Sequence, residues 1–113
     1  MGAPTLSRTA RTVPMSAEAS RSLLRKTMPV ARRVLGDNHG DTLRLRWNYA
    51  QSLSKDPNAT LDDVREAVTT LEETERISRR VLGGAHPVTA GIETDLRNAR
   101  LVLSDREGYS IRL

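Results

Sequence analysis

The segment ARRVLGDNHGDT, residues 31–42, returns 47 residues later as SRRVLGGAHPVT, residues 78–89. Held at that offset, nine of the nineteen positions from Leu24 to Thr42 are identical, with Leu24 over Leu71, Thr27 over Thr74 and Val30 over Ile77. Self-similarity at a period of tens of residues marks stacked supersecondary units, each unable to bury its apolar face alone. The feature constrains architecture more tightly than any composition statistic does.

The repeated segment has the chemistry of a helix end, a tight turn and a new helix start. Arg32-Arg33-Val34-Leu35 and Arg79-Arg80-Val81-Leu82 put cations in a last turn, at the negative end of the helix dipole. Gly36 and Gly83 follow where a left-handed residue closes a helix. Pro87 suits a first helical position, which needs no amide donor, and His39 and His86 then fall at or beside the N-cap.

These residues resemble the tetratricopeptide repeats of the kinesin light chain type, whose units run LG-x-x-HP-x-T-L before an N-L-A signature and a second helix. The matching residues are Leu35-Gly36, His39, Thr42-Leu43 and Asn48-Tyr49-Ala50 in one copy, and Leu82-Gly83, His86-Pro87 and Thr89 in the next. The resemblance covers residues 20–105. Gly40 stands where the family has proline, Asp95-Leu96-Arg97 replaces N-L-A, and the loop from Lys55 to Leu61 is longer than usual. What the resemblance implies is an all-α fold of antiparallel helix pairs, stacked as a short tetratricopeptide-like solenoid of about four helices. It also implies a groove lined by the first helices of successive units, here 40–55 and 87–107, with Asn48 placed to meet a bound peptide backbone.

Composition agrees with helix pairs. Phe is absent and Trp47, Tyr49 and Tyr109 are the only aromatics, so burial rests on Leu, Val, Ile and Ala. With no Cys, a disulfide scaffold and thiolate chemistry are excluded. No apolar run approaches the roughly 18 residues of a membrane span. The net charge of +4 is lopsided: residues 1–35 hold seven Arg or Lys against Glu18 alone, and the remainder is slightly acidic.

Residues 1–15 lack acids and helical periodicity and read as a disordered tail, with an organelle transit peptide as the sharper alternative and a cytoplasmic location otherwise. The helical repeat domain is expected over 16–107. Ser16 caps a first helix to Leu35, with Pro29 expected to kink or break it. A second helix covers 40–55 with Leu43, Trp47, Ala50 and Leu53 or Ser54 on its stripe. Trp47 is expected to pack between the two helices of its own unit, the alternative being an exposed ligand anchor. Asp56-Pro57-Asn58-Ala59-Thr60 breaks the chain, and Thr60-x-x-Asp63 opens a helix to Leu82. Its acids Asp62, Asp63, Glu66, Glu72, Glu73 and Glu75 read as a solvated face. The last helix runs from Pro87 to Glu107, with Gly91 weakening its start, Gly108 ending it, and 108–113 as a tail.

Catalysis needs convergent groups, and repeats translate equivalent residues along a stack, so His39 and His86 are expected apart, as caps. No phosphate loop, HExxH or nucleophile elbow is present. Neither an enzyme nor a cofactor is expected. The function read from the sequence is protein–protein interaction, with Arg44, Asn48, Gln51 and Lys55 of one helix, and Asp95 and Asn98 of the next, meeting an extended or helical segment of acidic character. A second reading, from another class, is non-specific nucleic-acid binding through Arg21, Arg25, Lys26, Arg32, Arg33 and the basic tail. Two and a half units fall short of the three usually needed for independent stability. That predicts marginal stability as a monomer, a homo-oligomer that covers the first helix, or membership of a longer repeat protein.

Overall fold

The computed structural model describes residues 17–112, and every element among them is a helix: α1 Ala17–Leu35, α2 Gly40–Ser54, α3 Leu61–Val81 and α4 Pro87–Arg112. Residues 1–15 and the Ser16 cap lie outside the described residues. α1 runs through Pro29 as one continuous helix, so the break that its missing donor allowed does not occur. Pro29 is exposed, and the packing face of Leu24, Thr27, Met28 and Ala31 continues on both sides of it. α4 likewise passes through Gly108 to Arg112. A mid-helix glycine costs only about 1 kcal/mol and does not by itself terminate a helix.

The sequence repeat is a structural one. Gly36 and Gly83 both adopt positive φ, +92° and +95°, and their amides donate to Arg32 and Arg79 carbonyls at 3.0 and 3.2 Å. The His39 and His86 amides then donate to the Gly36 and Gly83 carbonyls at 3.4 and 3.3 Å. His39 Nδ1 accepts from the Asp41 amide and His86 Nδ1 from the Val88 amide, both at 3.1 Å. Beneath each turn lies a fully buried threonine. The Thr42 hydroxyl reaches the Ala31 carbonyl at 3.5 Å, and the Thr89 hydroxyl bonds the Ser78 hydroxyl at 2.6 Å. Apart from an added bond from the Gly83 amide to the Ser78 carbonyl, the residues paired at one corner are those paired at the other moved on by 47.

Successive helices form three antiparallel pairs, two joined by such corners and α2 to α3 by residues 55–60. Arg25 meets Tyr49 across α1 and α2; Tyr49 meets Glu66 and Arg46 meets Glu73 across α2 and α3; Arg79 meets Glu93 and Glu72 meets Arg100 across α3 and α4. Along each pair one index rises as the other falls. α2 and α4 instead run parallel, side by side. The shared core comprises Tyr49, Ala50, Leu53, Ala67, Val68, Leu71, Ile92, Leu96 and Ala99. Burying each of Leu53, Leu71 and Ile92 is worth about 1.5–3 kcal/mol relative to leaving it in water.

Trp47 is not where the sequence stripe put it. Its ring lies on α4 of the next unit, and a Cβ built on Gly91 would stand 2.4 Å from Trp47 Cη2. The glycine that weakens the start of α4 is therefore what admits the indole. The α3 acids, too, are more than a solvated face: Asp63, Glu66, Glu72, Glu73 and Glu75 each carry a basic partner, most of them on a neighbouring helix. The α3 start is a complete capping box, with Thr60 and Asp63 exchanging bonds at 3.1 Å.

Two outcomes follow. Gly91→Ala gains helix propensity of roughly 1 kcal/mol, yet it drives a methyl into the indole, so a net loss of about 1–3 kcal/mol is expected in urea unfolding; a stabilised variant would contradict the packing. The bond from the Thr60 amide, more than Arg21 nearby, holds Asp63 below its ordinary carboxyl value of 3.8. A depressed folded value contributes stability that is complete above 3.8 and lost as pH falls through the lower one. The stability gap between wild type and Asp63→Asn, about 0.3–1 kcal/mol at neutral pH, should vanish in acid; a gap that persists there would contradict it.

Candidate functional site

The residues expected to form a groove fall on the side of the molecule where α2 and α4 run together. Their arrangement is organised by Asp95, which replaces the asparagine of the other copy. Asp95 Oδ2 accepts from Trp47 Nε1 at 2.6 Å and from Gln51 Nε2 at 2.8 Å, and Lys55 Nζ stands 3.6 Å from Oδ1. The Asp95 side chain is only 12% exposed. Three donors on successive turns of α2 thus converge on one carboxylate of α4, just above the contact of Trp47 with Gly91. The arrangement can hold two helices in register; it leaves little of Gln51 or Asp95 for an incoming ligand.

The other expected site residues remain open to solvent. Arg44 is exposed, with Nη1 3.6 Å from Asp41 Oδ1 one turn away. Asn48 is exposed, and among the described residues its amide has no hydrogen-bond partner. Asn98 borders a shallow hollow of about 250 Å³ with Ser54, Lys55, Ala99 and Val102. Of the six residues, the structure brings Gln51, Lys55 and Asp95 into contact, sets Asn98 beside them, and leaves Arg44 and Asn48 along the outer face of α2.

Trp47 and Gly91 were not named as site residues, though a signal existed. A glycine inside an otherwise regular helical stretch marks a close approach, and the chain's single tryptophan is the group that approaches. Tyr49 carries a further junction. Its buried hydroxyl donates to Glu66 Oε2 at 2.5 Å and accepts from Arg25 Nη2 at 2.9 Å, tying α1, α2 and α3 together. Burial, and then the Glu66 carboxylate, push the phenol above its ordinary value of 10.0, with Arg25 pulling the other way. Arg46 is buried as well and pairs with Glu73 at 2.6 Å.

The basic helix α1 is less free than its composition suggests. Arg21 faces Asp56 and Asp63, Arg25 faces Tyr49 and Glu66, and Arg32 bonds Asp37 at 2.6 Å. Only Lys26 and Arg33 of the five cations have no acidic partner among the described residues. His39 and His86 stand at separate turns, each bonded to the helix it caps. Among the described residues no group of three His, Asp or Glu is placed to hold a metal ion, and no helix is long and apolar enough to cross a membrane. Comparison with family models, curated proteins and solved structures finds no match to this chain.

The Asp95 junction predicts a specific loss. Asp95→Ala leaves the Trp47 and Gln51 donors without their acceptor, at a cost of about 1–3 kcal/mol in urea unfolding and with a red shift of Trp47 emission. Unchanged stability and emission would show that the carboxylate holds neither.

Proposed function

We propose that the chain is a tetratricopeptide-like protein-interaction module of the kinesin light chain type, binding a partner segment along α2 without catalysing a reaction. Support comes from the corner repeated at 47 residues, from the antiparallel pairing of successive helices and from the parallel course of α2 and α4. The observation that carries the reading is Asn48. It offers a donor and an acceptor to a peptide backbone, is exposed, and has no partner among the described residues. Arg44, one turn before it, adds a cation, and Lys55 adds a second that Asp95 partly offsets.

Asp95 serves a different end from the one assigned to it as a groove contact. Together with Gln51 it holds α2 and α4 at a fixed spacing, so a partner meets a surface already in its binding geometry. Contact then falls to Arg44, Asn48, Lys55 and Asn98. The segment this set fits is extended or helical, with acidic side chains near Arg44 and Lys55.

The chain's single tryptophan lies next to this surface and reports occupancy directly. Titration with a panel of acidic and basic peptides of equal length should shift Trp47 emission for acidic members. Asn48→Ala and Arg44→Glu should each weaken that binding by about tenfold without loss of helical content. Equal response to acidic and basic peptides, or binding indifferent to both substitutions, would remove this surface from the account.

A further inference from the structure

The 47-residue offset pairs α1 with α3 and α2 with α4, and it therefore says what each exposed face corresponds to inside the molecule. α3 packs on α2, where Glu73 meets Arg46 and Glu66 meets Tyr49 and where Ala50 and Leu53 are fully buried, and it reaches α1 through Arg21 and Arg25. One repeat on, the positions of Arg46, Tyr49, Ala50 and Leu53 are Glu93, Leu96, Arg97 and Arg100. These four, with Leu101 and Ser104 of α4 and Glu75 and Arg79 of α3, line a hollow of about 480 Å³ between the two helices. The hollow is the seat of α3 translated by one unit.

The helix equivalent to α3 is α1, and its outward side is uncovered. Leu23, Val30 and Val34 are 54%, 46% and 71% exposed, and Lys26 lies between the first two. They occupy the positions of Thr70, Ile77, Val81 and Glu73, on the side of α3 whose Glu73 meets α2. The charges agree in register. Inside the molecule this position pairs Arg46 of α2 with Glu73 of α3; across the two open faces it pairs Glu93 of α4 with Lys26 of α1. Both signs are reversed together, and Lys26 then shares a carboxylate that Arg79 already meets within the chain. Leu101, 61% exposed, adds an apolar rim to the hollow.

We propose that a second copy of this chain seats its α1 in the hollow between α3 and α4, so that α4 of one copy and α1 of the next form a helix pair like α2 and α3. The contact is heterologous. It leaves a free α1 at one end and a free hollow at the other, and therefore supports open-ended growth, not a closed twofold dimer. Arg97 and Arg100 stand where Ala50 and Leu53 stand within the chain, which makes the seam wetter than the internal one and the association reversible. Arg100 is held aside by Glu72 at 2.9 Å.

Sedimentation of the full chain at low salt, from micromolar to near-millimolar concentration, should show a mass that climbs past a dimer without a plateau. Val30→Asp blocks one face and Leu101→Asp the other; both residues are exposed, so circular dichroism should be unchanged. Each variant alone should be monomeric, and an equal mixture should form a dimer that grows no further. Lys26→Glu should weaken association by about fivefold, and adding Glu93→Lys should restore it to within about twofold. A wild-type chain monomeric throughout, a Leu101→Asp chain that still dimerises, a mixture that stays monomeric, or a charge reversal without rescue would each overturn the proposal.

Discussion

The structure depends on a buried threonine beneath a left-handed glycine, made twice. Gly36 and Gly83 end their helices in a conformation that side chains with a Cβ rarely adopt. The chain then turns within four residues, and a histidine ring takes an amide of the following helix. Thr42 and Thr89 lie fully buried under these turns with their hydroxyls on the preceding helix. An unpaired hydroxyl there would cost about 1–3 kcal/mol, so the bond fixes how closely the helices approach and at which residue they cross. Because the corner recurs, the relation of α1 to α2 recurs as that of α3 to α4.

From that constraint the distribution of charge becomes intelligible. The acids of α3 reach out to Arg21 and Arg25 of α1, Arg46 of α2 and Arg100 of α4. Individually such pairs are worth little at the surface, typically below about 1 kcal/mol. Their value here is register: with a core of Leu, Ala and Val and no Phe, apolar packing alone would tolerate helices sliding by a turn. Asp95 does the same for α2 and α4, gathering Trp47, Gln51 and Lys55 on one carboxylate.

Much of this was legible in the chain. The repeat gave the corners, the glycines at positive φ, the histidine caps and the count of helices, because those are local and each is written twice. What was not legible depends on which neighbour a side chain meets. Trp47 sat correctly on an apolar stripe, but helical spacing does not say whether the stripe faces the helix that follows or the one after it; Gly91 was the clue and was read as a weakness. Arg46, which no sequence signal singled out, is buried against Glu73. Gln51, Lys55 and Asp95 were named as contacts for a partner, and their mutual bonds show them spending polarity on one another. Asn48 and Arg44 remain exposed, and the proposed contact rests on them.

The equivalence of the two corners is the claim most open to direct measurement. Nuclear Overhauser spectra of the folded chain should show the Thr42 methyl close to Ala31 and the Thr89 methyl close to Ser78. Both contacts should be present in the same state and be lost together on unfolding. A spectrum in which the Thr89 corner is formed while Thr42 shows no contact with α1 would contradict the repeated geometry on which the packing, the proposed binding surface and the proposed assembly all rest.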